Sequence, residues 1–279
     1  MSKTDLLNVE DLNVTFRTRT GPVHAVRGVS FTLGQERLGI VGESGSGKSQ
    51  TGRAILGLTP HPGEVKAARL EFDGIDLLRV DKKTLRDLRG GRISMIMQDP
   101  KYSLNPVTPI GKQIVEAYLA HTKASKAEAR EKSLDMLEAV QIRDPARVFD
   151  AYPHELSGGM GQRAMIAMML ITDPDLLIAD EPTSALDVTV QLEILSILDD
   201  LVARRGMGLI FISHDLRLVS SFCNRVLVMY AGKVVEQLEA SKLHEASHPY
   251  TRGLLNCLPK IANRQKPLPT LRRDAAWAL

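Results

Sequence analysis

Gly42, Glu43, Ser44, Gly45, Ser46, Gly47, Lys48 and Ser49 follow one another and match the pattern G-x-x-x-x-G-K-[ST] at every fixed position. An apolar run, Leu38 to Val41, leads into this string, and Thr51 to Leu58 after it suits a helix. A buried strand, a glycine-rich loop and a helix in that order restrict the fold more than any other stretch of the chain. Glycines let consecutive backbone N–H groups turn inward around an anion, and the helix start adds the positive end of its dipole. In that arrangement Lys48 reaches the β- and γ-phosphates of a nucleotide, the Ser49 hydroxyl reaches Mg²⁺, and Gln50 joins the nucleotide contacts. Such a string arises by chance in roughly 1% of chains this long. A Gly/Ser-rich connector is the weaker reading.

A second apolar strand, Leu176 to Ala179, ends in Asp180 and Glu181. Nucleotide-binding parallel sheets carry their polar groups at the carboxyl ends of strands. Asp180 suits a Mg²⁺ ligand acting through water, and Glu181 suits the group that orients and polarises an attacking water. Two acids at a strand end are common on solvated surfaces. Beside the glycine-rich loop they point to hydrolysis of ATP, with ATP and Mg²⁺ as the bound species.

The remaining pattern is organised around these stretches. Leu12, Val14 and Phe16 alternate, as do Val29, Phe31 and Leu33, so both runs read as half-buried strands. Residues 69–79 read as a hairpin turning at Asp73 and Gly74. From about Ser103 to Glu155 the character is helical, with Ser125 and Glu128 as a capping box ahead of Leu134, Leu137 and Val140. Val188 to Ala203 is a helix between the strands at Leu176 to Ala179 and Leu209 to Ile212, which implies a parallel sheet. Val226 to Tyr230 and Val234 to Gln237 make a late hairpin. From about Lys242 the chain is basic with a poor apolar pattern, and reads as a surface appendage.

Composition excludes several classes. A net charge of +3 on 279 residues is too small to argue for nucleic acid. No apolar run approaches the roughly 18 residues that cross a bilayer, and the most apolar stretch, Ala164 to Ile171, reads as a buried helix. The first residues carry acids and no apolar core, so no signal peptide is expected. Cys223 and Cys257 supply neither metal-ligand spacing nor a disulfide framework.

Over about residues 5 to 258 the chain resembles the ATPase subunits of ABC transporters. Leu156, Ser157, Gly158, Gly159 and Met160 are similar to the family's signature peptide, with Met160 where Gln is often found and Gly161 where a basic residue is often found. Neither change removes a backbone donor. The resemblance implies that Ser157, Gly158 and Gly159 contact the γ-phosphate of ATP held by an opposite subunit, and that Asp187, in the run from Ser184, lies at the same seam. It further implies that Gln98 meets Mg²⁺ and the attacking water, and that His214 contacts the γ-phosphate. The family stacks adenine on an aromatic near the N-terminus; Phe16 is a candidate, although a strand-core Phe is the stronger reading.

Three stretches resemble the oligopeptide, dipeptide and nickel importer subgroup. They are Val26 to Phe31, Gln98 to Pro100 followed by Ser103 to Pro106, and His248 to Thr251. The fold implied is α/β, a P-loop (RecA-like) parallel-sheet core with an N-terminal antiparallel β subdomain and a helical insertion subdomain. The core would comprise residues 1–100 and 156–240, the insertion about 101–155, and the appendage 242–279. The partners implied are a second ABC ATPase subunit (paralogue or identical), two transmembrane permease subunits docking near Gln98 to Asn105, and indirectly a solute-binding protein, with no nucleic acid. The place implied is peripheral, on the cytoplasmic face of the inner (plasma) membrane. A soluble ABC ATPase, such as one in a phosphonate-cleaving lyase complex, and a non-hydrolysing regulator are the alternatives. The regulator would need a defect in the site, and Glu181 and His214 are both present. The Cys-rich C-terminal segment of many subgroup members is missing after Cys257, so no iron–sulfur cluster is expected.

Overall fold

A computed structural model describes residues 5–184, 186–257, 274 and 277, without the side chains of Lys101 and Tyr102. The chain divides into two compact units, Met1–Arg79 with Ile210–Leu279, and Val80–Leu209.

The first unit opens with β1 (Leu7–Thr18) and β2 (Gly21–Leu33), antiparallel, with Leu7 opposite Leu33 and Val9 opposite Phe31. Their alternation is the one legible in the sequence: Leu7, Val9, Leu12, Val14, Val29, Phe31 and Leu33 are buried. β3 (Arg37–Val41) follows and runs into the glycine-rich loop. Helix α1 (Lys48–Ile55) starts three residues earlier than the apolar pattern suggests, so Lys48 and Ser49 lie in its first turn. β4 (Gly63–Lys66) and β5 (Arg69–Phe72) both pair antiparallel with β1, and β6 (Ile75–Asp76) pairs with β5. The turn between β5 and β6 holds Asp73 at φ 50° and Gly74 at φ 77°, the left-handed pair a tight hairpin requires. Phe16 is half-buried, and its ring lies so close to Gly63 that a Cβ there would meet it at 2.7 Å.

The second unit begins with α2 (Lys82–Leu88), capped by Asp81, and β7 (Ile93–Ile96). Then come α3 (Pro100–Ser103), α4 (Ile110–Leu119), α5 (Lys126–Ala139) and α6 (Pro145–Asp150). The capping box of α5 is present: Glu128 N–H donates to Ser125 Oγ over 3.2 Å and Ser125 N–H to Glu128 Oε2 over 2.7 Å. Leu137 and Val140 are buried as expected, whereas Leu134 is only half-buried and Ala129 and Met136 share the inner face. α7 (Gly158–Leu170) packs on α4, α5 and β7, and Ala164, Met165, Ile166 and Ala167, spread around its circumference, are all fully buried. β8 (Leu176–Asp180) pairs parallel with β7, and α8 (Val188–Arg205) ends on Gly206 in the left-handed conformation.

The chain then re-enters the first unit through β9 (Gly208–Ser213), which lies beside β3, and α9 (Leu216–Phe222). β10 (Arg225–Tyr230) pairs parallel with β3, and β11 (Lys233–Glu239) pairs antiparallel with β10. A short 3₁₀ turn (Ala240–Glu245) leads to α10 (Pro249–Cys257). The surface appendage expected after residue 242 needs correction over this helix, because Tyr250 and Thr251 are fully buried. Tyr250, Leu254 and Cys257, spaced i, i+4 and i+7, mark a helical face that the basic character of the surrounding tail obscures. Residues 258–273 lie outside the described residues. Among the described residues no helix is long and apolar enough to cross a membrane.

Candidate nucleotide and hydrolysis site

In the first unit β3 is held in register by β10, with Leu38 opposite Arg225 and Val41 opposite Val228. This delivers Gly42 against the backbone of Met229, so closely that a Cβ on Gly42 would collide with the Met229 carbonyl. Gly47, the residue before α1, sits at φ 102°, and a Cβ there would strike the Ala25 carbonyl. Both glycines are therefore required for a physical reason: backbone approaches backbone, and one torsion is left-handed. The turn after β10 fastens the loop further, Gly232 N–H donating to the Ser46 carbonyl over 3.1 Å.

Lys48 is 5% exposed, and its ammonium donates to the Gly42 and Glu43 carbonyls, each at 2.9 Å. A buried ammonium needs such acceptors. Folded back over the loop, it stands where a phosphate oxygen can take it over. Two buried oxygens in this segment, Ser46 Oγ and Gln50 Oε1, have no hydrogen-bond partner among the described residues. Buried polar atoms are rarely left so, and a nucleotide with its metal and water would engage them. Ser44 and Gly45 are exposed at the loop's tip. His214, the residue after β9, is exposed and lines a cavity of about 420 Å³ with Gly42, Glu43 and Ser44. The sequence-selected Gly42 to Gln50 and His214 are thus gathered in one unit.

The second unit gathers the acids. β7 and β8 run parallel with Ile96 opposite Ala179, so the residues two places on, Gln98 and Glu181, emerge side by side. Gln98 Nε2 donates to Glu181 Oε2 at 3.2 Å. Asp180, the last residue of β8, is 4% exposed. Glu181 itself is at φ 49°, a left-handed conformation that L-residues other than Gly, Asn and Asp rarely take. Such outliers cost about 1–3 kcal/mol and concentrate at functional sites. The turn is held by Ser184, whose N–H and Oγ both donate to the Glu181 carbonyl, at 3.3 and 3.2 Å.

The signature residues form the adjoining helix starts of the same unit. Ser157 caps α7, its Oγ accepting from Met160 N–H at 3.4 Å, and Asp187 caps α8, accepting from Val190 N–H at 3.0 Å. Gly158 is exposed, while Gly159 lies against α8, where a Cβ would come within 2.8 Å of Val190 Cγ1. Ala185 lies outside the described residues. Gln162 escaped the sequence reading. It is 2% exposed, and its Nε2 donates to the Pro182 carbonyl, tying the signature helix to the turn that carries Glu181. The available signal was a single uncharged polar side chain on an otherwise apolar helix face.

Residues 26–184 match the ABC transporter family. The chain belongs to the ABC transporter family. Its relatives include the dipeptide transport ATP-binding protein DppD of Escherichia coli, 48% identical over 268 residues that span 95% of this chain and 82% of that protein. The oligopeptide transport ATP-binding protein OppD of Bacillus subtilis is 48% identical over 261 residues, 92% of this chain and 73% of that one. Among solved structures, the dimeric post-hydrolysis state of the ATP-binding cassette MJ0796, bound to ADP and Pi, superposes with a TM-score of 0.74 at 26% identity. It covers 84% of this chain and 98% of that one. The cbiO1 protein of Clostridium perfringens, part of the transporter complex cbiONQ, gives a TM-score of 0.71 at 27% identity over 86% of this chain and 91% of that one. As a member of this family the ABC chain is a nucleotide-binding ATP hydrolase with the P-loop α/β fold.

Proposed function

We propose that this ABC ATPase powers the import of peptides, with its nucleotide held by Gly42 to Gln50 and its water by Glu181. The observation that carries the hydrolytic assignment is the pairing of Gln98 with Glu181 at the ends of two parallel strands. Lys48 leaves its two carbonyl acceptors for the β- and γ-phosphates, and Ser49, Gln98 and Asp180 supply oxygen ligands suited to Mg²⁺. The metal, when bound, neutralises charge developing on the phosphate oxygens. Glu181 accepts a hydrogen bond from the attacking water and aligns it, Gln98 fixes the carboxylate, and His214 steadies the γ-phosphate.

The signature residues Ser157, Gly158 and Gly159, with Asp187, complete the site of a second ATPase subunit, and that subunit's signature completes this one. Residues of the helical stretch 101–155 carry the resulting motion to two permease subunits, and a solute-binding protein delivers the cargo. The chain then sits peripherally on the cytoplasmic face of the membrane. Support for peptide cargo is the identity to DppD and OppD over nearly the whole chain. Reconstitution with the permeases and binding protein encoded beside it should give ATP-dependent uptake of a labelled dipeptide or short oligopeptide. Uptake of nickel, an opine or a glycoside in place of peptide would overturn the cargo, and recovery of the chain only in a membrane-free complex would overturn the transporter.

A further inference from the structure

We infer that Tyr250 is a positioning residue of the phosphate loop, so that α10 sets the affinity of the chain for nucleotide. The inference rests on the assignment of Gly42 to Gln50 as the phosphate site. Tyr250 is fully buried, and its Oη accepts the N–H of Glu43 over 3.0 Å, joining positions 207 residues apart. The Glu43 carbonyl is engaged at the same time, accepting from Lys48 Nζ at 2.9 Å and Ser46 N–H at 3.2 Å. The first limb of the loop is thus fixed on both edges of one residue.

The two edges differ in what nucleotide asks of them. Lys48 must release the Gly42 and Glu43 carbonyls to reach a phosphate. The Tyr250 bond uses an N–H on the opposite edge and need not be given up. It therefore holds the limb in shape through the exchange, and an organised loop binds more tightly because less ordering remains to be done on binding. A second contact points the same way: Leu254, one turn along α10, lines the cavity shared by Gly42, Glu43, Ser44 and His214.

Tyr250 is itself firmly placed. The Glu236 carboxylate accepts from Ser247 N–H at 2.6 Å, Ser247 Oγ at 3.0 Å and His248 N–H at 3.1 Å, anchoring the start of α10. Burial would raise the Glu236 carboxyl, but the hydrogen bonds from the Ser247 and His248 amides and the Ser247 hydroxyl hold the group below its ordinary range. Tyr250 N–H donates to His248 Nδ1 at 3.2 Å, and its ring packs on Tyr230 with centroids 4.6 Å apart. The run from His248 to Thr251, marked in the sequence only by resemblance, thereby has a physical role.

The test compares the full-length chain with Tyr250→Phe and Lys48→Ala by calorimetric titration with MgATP, well below the unfolding midpoint of each. Tyr250→Phe keeps the ring and removes the acceptor, and should weaken binding about fivefold, the scale of one hydrogen bond, raising KM with kcat within about twofold. A merely structural tyrosine would lower the melting temperature and leave affinity and KM unmoved. Parental affinity in Tyr250→Phe, with Lys48→Ala weakened, overturns the role of Tyr250 alone. Undiminished affinity in Lys48→Ala overturns the phosphate-loop assignment and the inference with it. Amide exchange in the unmodified chain gives a reading that depends on no variant. The Glu43 N–H should be protected without nucleotide, and exchange at the free-peptide rate would refute the bond.

Discussion

Gln98 and Glu181 lie 83 positions apart in the chain and share a hydrogen bond of 3.2 Å, Gln98 Nε2 donating to Glu181 Oε2. Because both follow parallel strands in matched register, the amide holds the carboxylate from one side while the left-handed backbone of Glu181 aims it. Glu181→Gln should keep nucleotide affinity and lose about 100-fold or more in turnover, since the water loses its acceptor. Phosphate release by the assembled transporter is the measurement. Near-normal hydrolysis would remove Glu181 from the catalytic role.

Gly159 offers a test of packing. Replacing a helical Gly by Ala ordinarily stabilises a protein by up to about 1 kcal/mol. Here the new methyl would come within 2.8 Å of Val190 Cγ1, a stiff β-branched side chain on α8. Gly159→Ala should therefore destabilise, by about 1 kcal/mol. In a Val190→Ala background the same substitution should become neutral or stabilising, a non-additivity that urea unfolding of the four chains would reveal. Additive losses would mean that the two helices do not meet at Gly159.

The two cysteines should differ sharply in reactivity. Cys223 is 8% exposed, and burial pushes its thiol up to about 12 although Arg37 pulls the other way. Thiolate is the reactive form, and at pH 8 only about one Cys223 in 10,000 carries it. Cys257 is partly exposed. Iodoacetamide at pH 8 should add one group to the native chain, at Cys257, and a second only after unfolding. Equal labelling by intact mass would contradict the burial of Cys223.

Much of this was legible in the sequence for local reasons. The alternation in β1 and β2, the turn at Asp73 and Gly74 and the capping box of α5 are each written within a dozen residues. The glycine pattern fixes the loop because backbone crowding at Gly42 and Gly47 leaves no room for a Cβ. Gln98 was reachable only through family resemblance and its hydrogen bond to Glu181 not at all, because strand register is a long-range property that periodicity does not encode. Tyr250 was misjudged with its segment. Tyr250, Leu254 and Cys257 stand at i, i+4 and i+7, a stripe confined to nine residues inside a basic, Pro-containing tail, so it shows only when that short stretch is read by itself.

The permease dock implied by the family resemblance can be probed beside its stretch. That resemblance places it near Gln98 to Asn105. Leu104 is 5% exposed, so a bulky or charged change there would damage the core, at a cost of about 3 kcal/mol or more. Val107, three residues on, is 78% exposed. Its loop is well held: Gln113 accepts from Asn105 N–H at 2.8 Å and donates to the carbonyls of Asn105 and Thr108, while Asn105 Oδ1 accepts Val107 N–H at 3.1 Å. An apolar side chain displayed on an ordered loop suits a protein contact. Val107→Asp should leave stability and MgATP affinity within about twofold of the parent, because a single surface substitution away from the nucleotide residues costs at most about 0.5 kcal/mol. Peptide uptake, and the rise in ATPase on adding loaded binding protein, should fall about tenfold or more. Leu104→Asp should instead lower the unfolding midpoint. Full uptake by Val107→Asp in reconstituted vesicles would move the dock away from this loop.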